Sequence, residues 1–190
     1  LKANNDRKHA ITGESFADII MHCSKVSGGY IMKILVISDT HGDTKKAEQA
    51  IRKNGRADLV IHLGDYSRDA EKLSGMFPGI SFEYISGNCD FPAGGVSSEK
   101  LLEVCGKRIF ITHGHRYSAK WGYERLFMKA EEQQADILLF GHTHIPDIAE
   151  KDRCIIINPG SASDPRGNSN ESYAVIEISD GRISARICHV

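Results

Sequence analysis

The sequence predicts an α/β sandwich, two β-sheets packed face to face with helices outside. Two observations carry this. From Met32 to about residue 87, branched apolar runs alternate with helical patterns in a βαβα order. From about residue 136 onward, short apolar runs follow one another almost without helices. The chain has 190 residues, enough for one domain with a sizeable core, and its 41% hydrophobic and 26% charged residues are ordinary for a globular protein.

Residues 1–31 differ from the rest and read as an N-terminal extension, a mobile or appended arm ahead of a domain spanning 32–190. "LKANNDRKHA" is polar. In "SFADIIMHC", Phe16, Ile19, Ile20 and Cys23 fall at i, i+3, i+4 and i+7, which predicts a helix with Ser15 and Asp18 as a capping box. "SGGY" reads as a break.

"KILVIS" is then the first strong strand, followed by a helix over Thr44–Asn54 with Asp43 as its N-cap. "DLVIHLG" is the next strand, Ser67 to about Gly75 a shorter helix, and "ISFEYISG" a third strand. "KLLEVCG" and "KRIFITHG" read as a hairpin with a tight Gly-Lys turn. Residues 119–134 carry a helical pattern with Trp121, Leu126, Phe127 and Ala130 as its apolar positions. "DILLFG", "IPDIAE", "CIIINPG", "SYAVIEIS" and "RISARICHV" complete the strands.

Lys plus Arg number 24 and Asp plus Glu 25, so net charge gives no pull toward nucleic acid or an anionic membrane. The five cysteines are scattered with no C-x-x-C pair, which argues against a thiolate zinc site and for reduced thiols in a cytoplasmic protein. No apolar run approaches the ~20 residues that span a bilayer.

The strand ends carry the chemistry. In α/β sheets ligands bind beyond the carboxyl ends of strands. "ILVIS" ends in Asp39-Thr40-His41, "LVIHLG" in Asp65, "FEYISG" in Asn88, "IFIT" in His113, and "ILLFG" in His142-Thr143-His144. D-x-H or G-D alone is a weak signal, but five such groups after five apolar runs are a strong joint one. The donors are oxygens and imidazole nitrogens, which suit Mn, Fe, Co, Ni or Zn. Seven ligands are too many for one tetrahedral site and about right for two ions with one carboxylate between them. His62 sits inside a strand run and reads as a structural histidine.

The order Asp39-x-His41, Gly64-Asp65, Gly87-Asn88, His113 with Gly114-His115, and Gly141-His142-Thr143-His144 resembles the calcineurin-like metallophosphoesterase superfamily, in its small single-domain bacterial and archaeal phosphodiesterase branch. "INPGS" at 157–161 and "DPR" at 164–166 add to the resemblance, which runs from Met32 to the C-terminus. It implies a four-layer αββα sandwich. It implies one metal on Asp39, His41 and His144, another on Asn88, His113 and His142, and Asp65 bridging. It implies a dinuclear phosphodiesterase in which a metal-bound hydroxide attacks phosphorus, with manganese as the first choice of metal and Ni, Fe, Co or Zn as others. A phosphomonoesterase, a nuclease, or a non-catalytic scaffold such as the related retromer protein are the rival readings.

Asn88 and His115 are the candidate catalytic residues. His115 either stabilises the phosphate and donates a proton, or orients His113. Many larger superfamily members carry histidine after the asparagine; here Cys89 stands there, and packing is the simpler role for it. Asp90 is expected to cap or orient its turn, and Asn158 and Arg166 to approach the site, Arg166 either on phosphate or in a salt bridge. The expected partner is a phosphate-ester small molecule, with a homo-oligomer allowed and neither membrane nor nucleic acid indicated.

Overall fold

The structure is a computed structural model, and it describes residues 19–21, 31–91 and 95–190. In chain order the strands are β1 (Ile19–Met21), β2 (Met32–Ile37), β3 (Leu59–His62), β4 (Ser81–Tyr84), β5 (Glu99–Val104) and β6 (Lys107–Thr112). They continue with β7 (Ile137–Leu139), β8 (Pro146–Lys151), β9 (Cys154–Pro159), β10 (Ser172–Ser179) and β11 (Arg182–His189). The helices are α1 (Lys45–Lys53), α2 (Ser67–Met76) and α3 (Glu124–Glu132).

Two mixed sheets form. One has the order β11-β10-β2-β3-β4, the other β1-β5-β6-β7-β9-β8. In the first, β2, β3 and β4 are parallel and β10 runs antiparallel to β2. In the second, β6, β7 and β9 are parallel.

The period-2 alternation of the strands generates the layers. Ile34 and Val36 of β2, with Leu59 and Ile61 of β3, face Ile109, Ile111, Ile137, Leu139 and Ile157 of the other sheet in the central core. Their neighbours Leu35, Ile37 and Val60 face outward onto Ala47, Ala50 and Ile51 of α1 and Leu73 of α2. Phe110, Leu138 and Ile156 face outward on the other side, onto Leu126 and Ala130 of α3. Strands with both faces buried read as unbroken apolar runs, as "ILVI" and "ILLF" do. This is the four-layer αββα sandwich; emptying one central position, for example Ile61→Ala, would cost ~2–5 kcal/mol.

Several local expectations are corrected. Ile19–Met21 is a strand, paired in parallel with Leu102, Glu103 and Val104 of β5, and not part of a helix. A short apolar run is ambiguous in period, and pairing with an otherwise open sheet edge decides for strand. Phe16 and Cys23, the rest of that helical stripe, lie outside the described residues. The β5–β6 turn is Cys105-Gly106, with φ of 51° and 72°, not Gly-Lys. Helix 119–134 is broken into a short 3₁₀ turn at Ala119–Trp121 and α3, and Trp121 is 92% exposed. The N-cap of α1 is Thr44, although Asp43 Oδ1 does accept from the Lys45 N–H at 3.0 Å. Cys89, Cys154 and Cys188 are free thiols, whereas Cys105 is disulfide-bonded, against the expectation of reduced thiols. Among the described residues no helix is long and apolar enough to cross a membrane.

Candidate metal centre

The parallel strands β2 and β3 of one sheet and β6 and β7 of the other bring their carboxyl ends to one edge of the sandwich. There the backbone turns sharply. Asp39, His41, Asp65, His142 and His144 all adopt left-handed φ values, between 45° and 68°. Such conformations cost of order 1–3 kcal/mol each for residues with a Cβ. Five of them at one edge, all on acids and imidazoles, mark a site whose side-chain directions matter more than backbone ease. Two glycines make the close approach possible. A Cβ on Gly87 would collide with Asp65 Oδ1, and one on Gly141 with Ser38 Oγ and, at 2.7 Å, with Asp39 Oδ2.

The side chains converge. Asp39, His41, Asp65 and His144 offer ligand atoms that all lie within 4.8 Å of one another. His144 Nε2 is 3.2 Å from Asp39 Oδ1 and 3.3 Å from His41 Nε2. His113 Nε2 is 3.3 Å from Asp65 Oδ1, and His41 Nε2 is 3.7 Å from Asp65 Oδ2. Asp39, Asp65, His113 and His144 are buried. Yet Asp39 Oδ1 and His113 Nε2 have no hydrogen-bond partner. Buried polar atoms that crowd together without pairing call for a group that satisfies all of them at once. Hard oxygens and imidazole nitrogens make that group a divalent cation.

The outer nitrogens of the rings are fixed. His113 Nδ1–H donates to the Leu63 carbonyl at 2.7 Å, and His144 Nδ1–H to the Asp164 carbonyl at 2.6 Å. Each leaves Nε2 directed at a carboxylate, the arrangement that orients metal-binding histidines. Burial would raise both aspartates. The contact with His144 and the charges of His113 and His144 hold Asp39 below the usual carboxylate range, and the contact and charge of His113 do the same for Asp65. Reciprocally, the carboxylates raise His113 and His144 against the opposing effect of burial.

The other expected residues stand around this cluster. The His142 ring centroid is 5.2 Å from that of His113, and the His142 backbone N–H donates to Asp39 Oδ2 at 3.1 Å. Burial, with the His113 and Lys120 charges, pushes His142 down to about 4, so it is neutral at physiological pH. The His115 ring is 5.4 Å from His113, and its Nδ1 is buried without a partner. Asn88 is exposed on the rim, and its amide donates to Cys89 Sγ at 3.3 Å; the Cys89 N–H donates to Asp65 Oδ1 at 2.8 Å.

Behind the ligands lies a shell that sequence reasoning reached only in part. His62 is a structural histidine: its Nδ1 accepts from Gly64 N–H at 3.3 Å and its Nε2 meets Thr40 Oγ1 at 3.1 Å. Thr40 Oγ1 donates onward to Asp69 Oδ2 at 2.6 Å, which also takes the Gly42 N–H at 2.8 Å. Asp90 closes the Gly87 turn and receives the Ser67 N–H and hydroxyl at the start of α2. Asn158 donates to the Gly141 carbonyl and to Thr143 Oγ1, both at 2.9 Å. The Arg166 side chain pairs with Asp164 at 3.3 Å. Ser161 and Ser163, which donate to the Asp39 carbonyl at 2.8 and 3.1 Å, had no signal beyond their place in and after "INPGS".

The sequence model of the Calcineurin-like phosphoesterase superfamily domain matches residues 32–181. The chain belongs to this superfamily. Among its relatives are the probable metallophosphoesterase YsnB of Bacillus subtilis, 35% identical over 157 residues that cover 82% of this chain and 89% of YsnB. The phosphodiesterase YfcE of Escherichia coli is 30% identical over 77% of this chain and 88% of its own. A crystal structure of a predicted phosphoesterase from Streptococcus pneumoniae superposes with a TM-score of 0.70 at 32% identity, covering 84% of this chain and 90% of that one. Superfamily membership and the Asp39–His41–Asp65–His144 cluster together support a metal-binding hydrolase of phosphate esters.

Proposed function

We propose that the chain is a dinuclear phosphodiesterase acting on small-molecule phosphate esters, with manganese as its first choice of metal. Asp39, His41 and His144 would hold one ion, Asn88, His113 and His142 the other, and Asp65 would serve both. One observation carries this reading. Asp65 turns one oxygen to each side: Oδ1 lies 3.3 Å from His113 Nε2 and Oδ2 3.7 Å from His41 Nε2. A carboxylate set between two groups of ligands is the geometry a shared bridging ligand requires.

When bound, two divalent ions acidify water to a nucleophile and neutralise charge developing on the phosphoryl oxygens. The protein's own residues do the rest. Two aspartates cancel only part of the ions' charge, so the site favours an anionic phosphate. His142, neutral and half-buried, keeps its lone pair for coordination. His115, pushed down by burial and by the His113 charge, stands beside the second group of ligands and would donate a hydrogen bond to the phosphoryl group. Asn88 presents its amide on the same rim. Cys89 is an unsuitable acid, since burial and its contact with Asp65 push the thiol up to about 11. The diester preference is supported by the name of YfcE, a phosphodiesterase.

The test is turnover of bis(p-nitrophenyl) phosphate and p-nitrophenyl phosphate by stripped protein reloaded with Mn, Ni, Fe, Co or Zn in turn. The expected result is metal-dependent hydrolysis with the diester preferred. Preference for the monoester would make the chain a phosphomonoesterase, and no turnover with any metal would favour the scaffold.

A further inference from the structure

A groove of about 550 Å³ opens beside the candidate metal centre, lined by Ala119, Lys120, Gly122, Tyr123, Thr143, Ile145 and Arg166. It adjoins the site: Thr143 lies between His142 and His144 in the chain, and the Arg166 N–H donates to the His144 carbonyl at 3.1 Å. Its walls are largely apolar, and Ile145 stands 44% exposed. Trp121, between two lining residues, is 92% exposed and is the chain's one tryptophan. Two cations border it. Arg166 shares its charge with Asp164 at 3.3 Å, while Lys120 has no carboxylate partner among the described residues. None of the expected metal ligands lines it, although the Lys120 charge reaches His142.

We propose that this groove binds one ester arm of the substrate, and that the arm is a flat aromatic group carrying a second negative charge. The proposal rests on the phosphodiesterase reading and names its substrate class. The alternatives fit less well. A small polar alcohol such as glycerol would leave Ile145 in water. A cationic alcohol such as choline would meet Lys120 and Arg166. A long alkyl chain would have to pass between two charges. An aromatic ring covers Ile145, offers its face to the cations, and brings its anionic substituent to the unpaired Lys120.

The test compares three diesters with the same monoanionic phosphate: dimethyl, methyl phenyl and methyl 4-carboxyphenyl phosphate. Each is measured as an inhibitor of bis(p-nitrophenyl) phosphate hydrolysis by the metal-loaded protein, and directly by its effect on Trp121 fluorescence. The inhibition constant is expected to fall at least ~10-fold from dimethyl to methyl phenyl, the scale of a filled apolar subsite, and several-fold more with the carboxylate. Ile145→Ser should erase the first step and Lys120→Ala the second, with metal content retained. The Trp121 emission should change with the two aryl esters only. Equal constants for all three esters in the parent would overturn the subsite while leaving the phosphodiesterase reading intact, as would steps that survive both substitutions. A metal-loaded protein that hydrolyses no diester would instead overturn the phosphodiesterase reading, and the fluorescence titration would still decide the groove.

Discussion

The His113 ring ties the two sheets together: its Nδ1–H, just beyond β6, donates to the carbonyl of Leu63, just beyond β3, at 2.7 Å. One imidazole thus spans the sandwich at its open edge and points its other nitrogen at Asp65. His113→Ala is therefore expected to act twice. It leaves a buried carbonyl without a partner, at a cost of ~1–3 kcal/mol in the metal-free protein, and it removes a ligand from one ion. His144→Ala should remove the other ion and leave the first. Urea midpoints and bound metal per chain check this; loss of the same ion in both variants would contradict the division of ligands.

Asn158 reaches no metal, but it holds the loop that carries two ligands. Asn158→Leu removes the amide donor to the Gly141 carbonyl and to Thr143 Oγ1, and takes from the Gly160 N–H its Oδ1 acceptor. The expected outcome is a loss of ~1–3 kcal/mol in stability and a ~10–100-fold loss in metal affinity, the scale for removing a group that orients ligands. Isothermal titration with metal would show an unchanged affinity if the loop holds its shape unaided.

His62 gives the fold a pH dependence of known sign. Burial pushes it down to about 4 in the folded chain, against ~6.5 unfolded. Between those values the unfolded chain binds a proton that the folded chain does not. Stability therefore falls as pH drops from about 6.5 toward 4, by up to ~3 kcal/mol at the lower end. His113 and His144, which are raised, act oppositely: their contribution is present at low pH and lost as pH rises through their folded values. The difference between the metal-free parent and His62→Gln isolates the first effect. Parallel stability curves for the two proteins across that window would refute it.

How far the sequence revealed this centre depends on the kind of residue. Asp39, Asp65, His113, His142 and His144 were legible because each ends an apolar run buried on both faces, where a polar side chain needs a reason. The layers were legible too, since β2 and β3 place alternate residues in two different cores. Asn158 and Asp90 could be placed near the site but not given partners. Asp69 carried no signal, and Ser161 and Asp164 were marked only by their places in "INPGS" and "DPR", because what they hold is set by which loops the topology brings together, not by spacing along the chain. Ile19 and Ile20 were misread, since a stripe of only four apolar residues is a weak period and the edge of β5 decided their form. Trp121 was misread as an apolar position of one helix over 119–134, because the pattern runs through a 3₁₀ turn and a glycine that stop the helix short.

Asp65 is the residue on which the account turns. Asp65→Asn removes the negative charge expected to lie between two dications, and a fall in rate of at least ~10²-fold is predicted, the scale for losing one preorganised electrostatic group. Near-normal turnover by a variant that still holds two ions would show that the carboxylate is not shared.

The most direct measurement is anomalous diffraction from crystals of the manganese-loaded protein, collected at the metal's absorption edge. The account predicts two peaks ~3.5–4 Å apart on either side of the Asp65 carboxylate, one among Asp39, His41 and His144 and the other among Asn88, His113 and His142. A single peak in fully active protein, or two peaks that do not share Asp65, would contradict it.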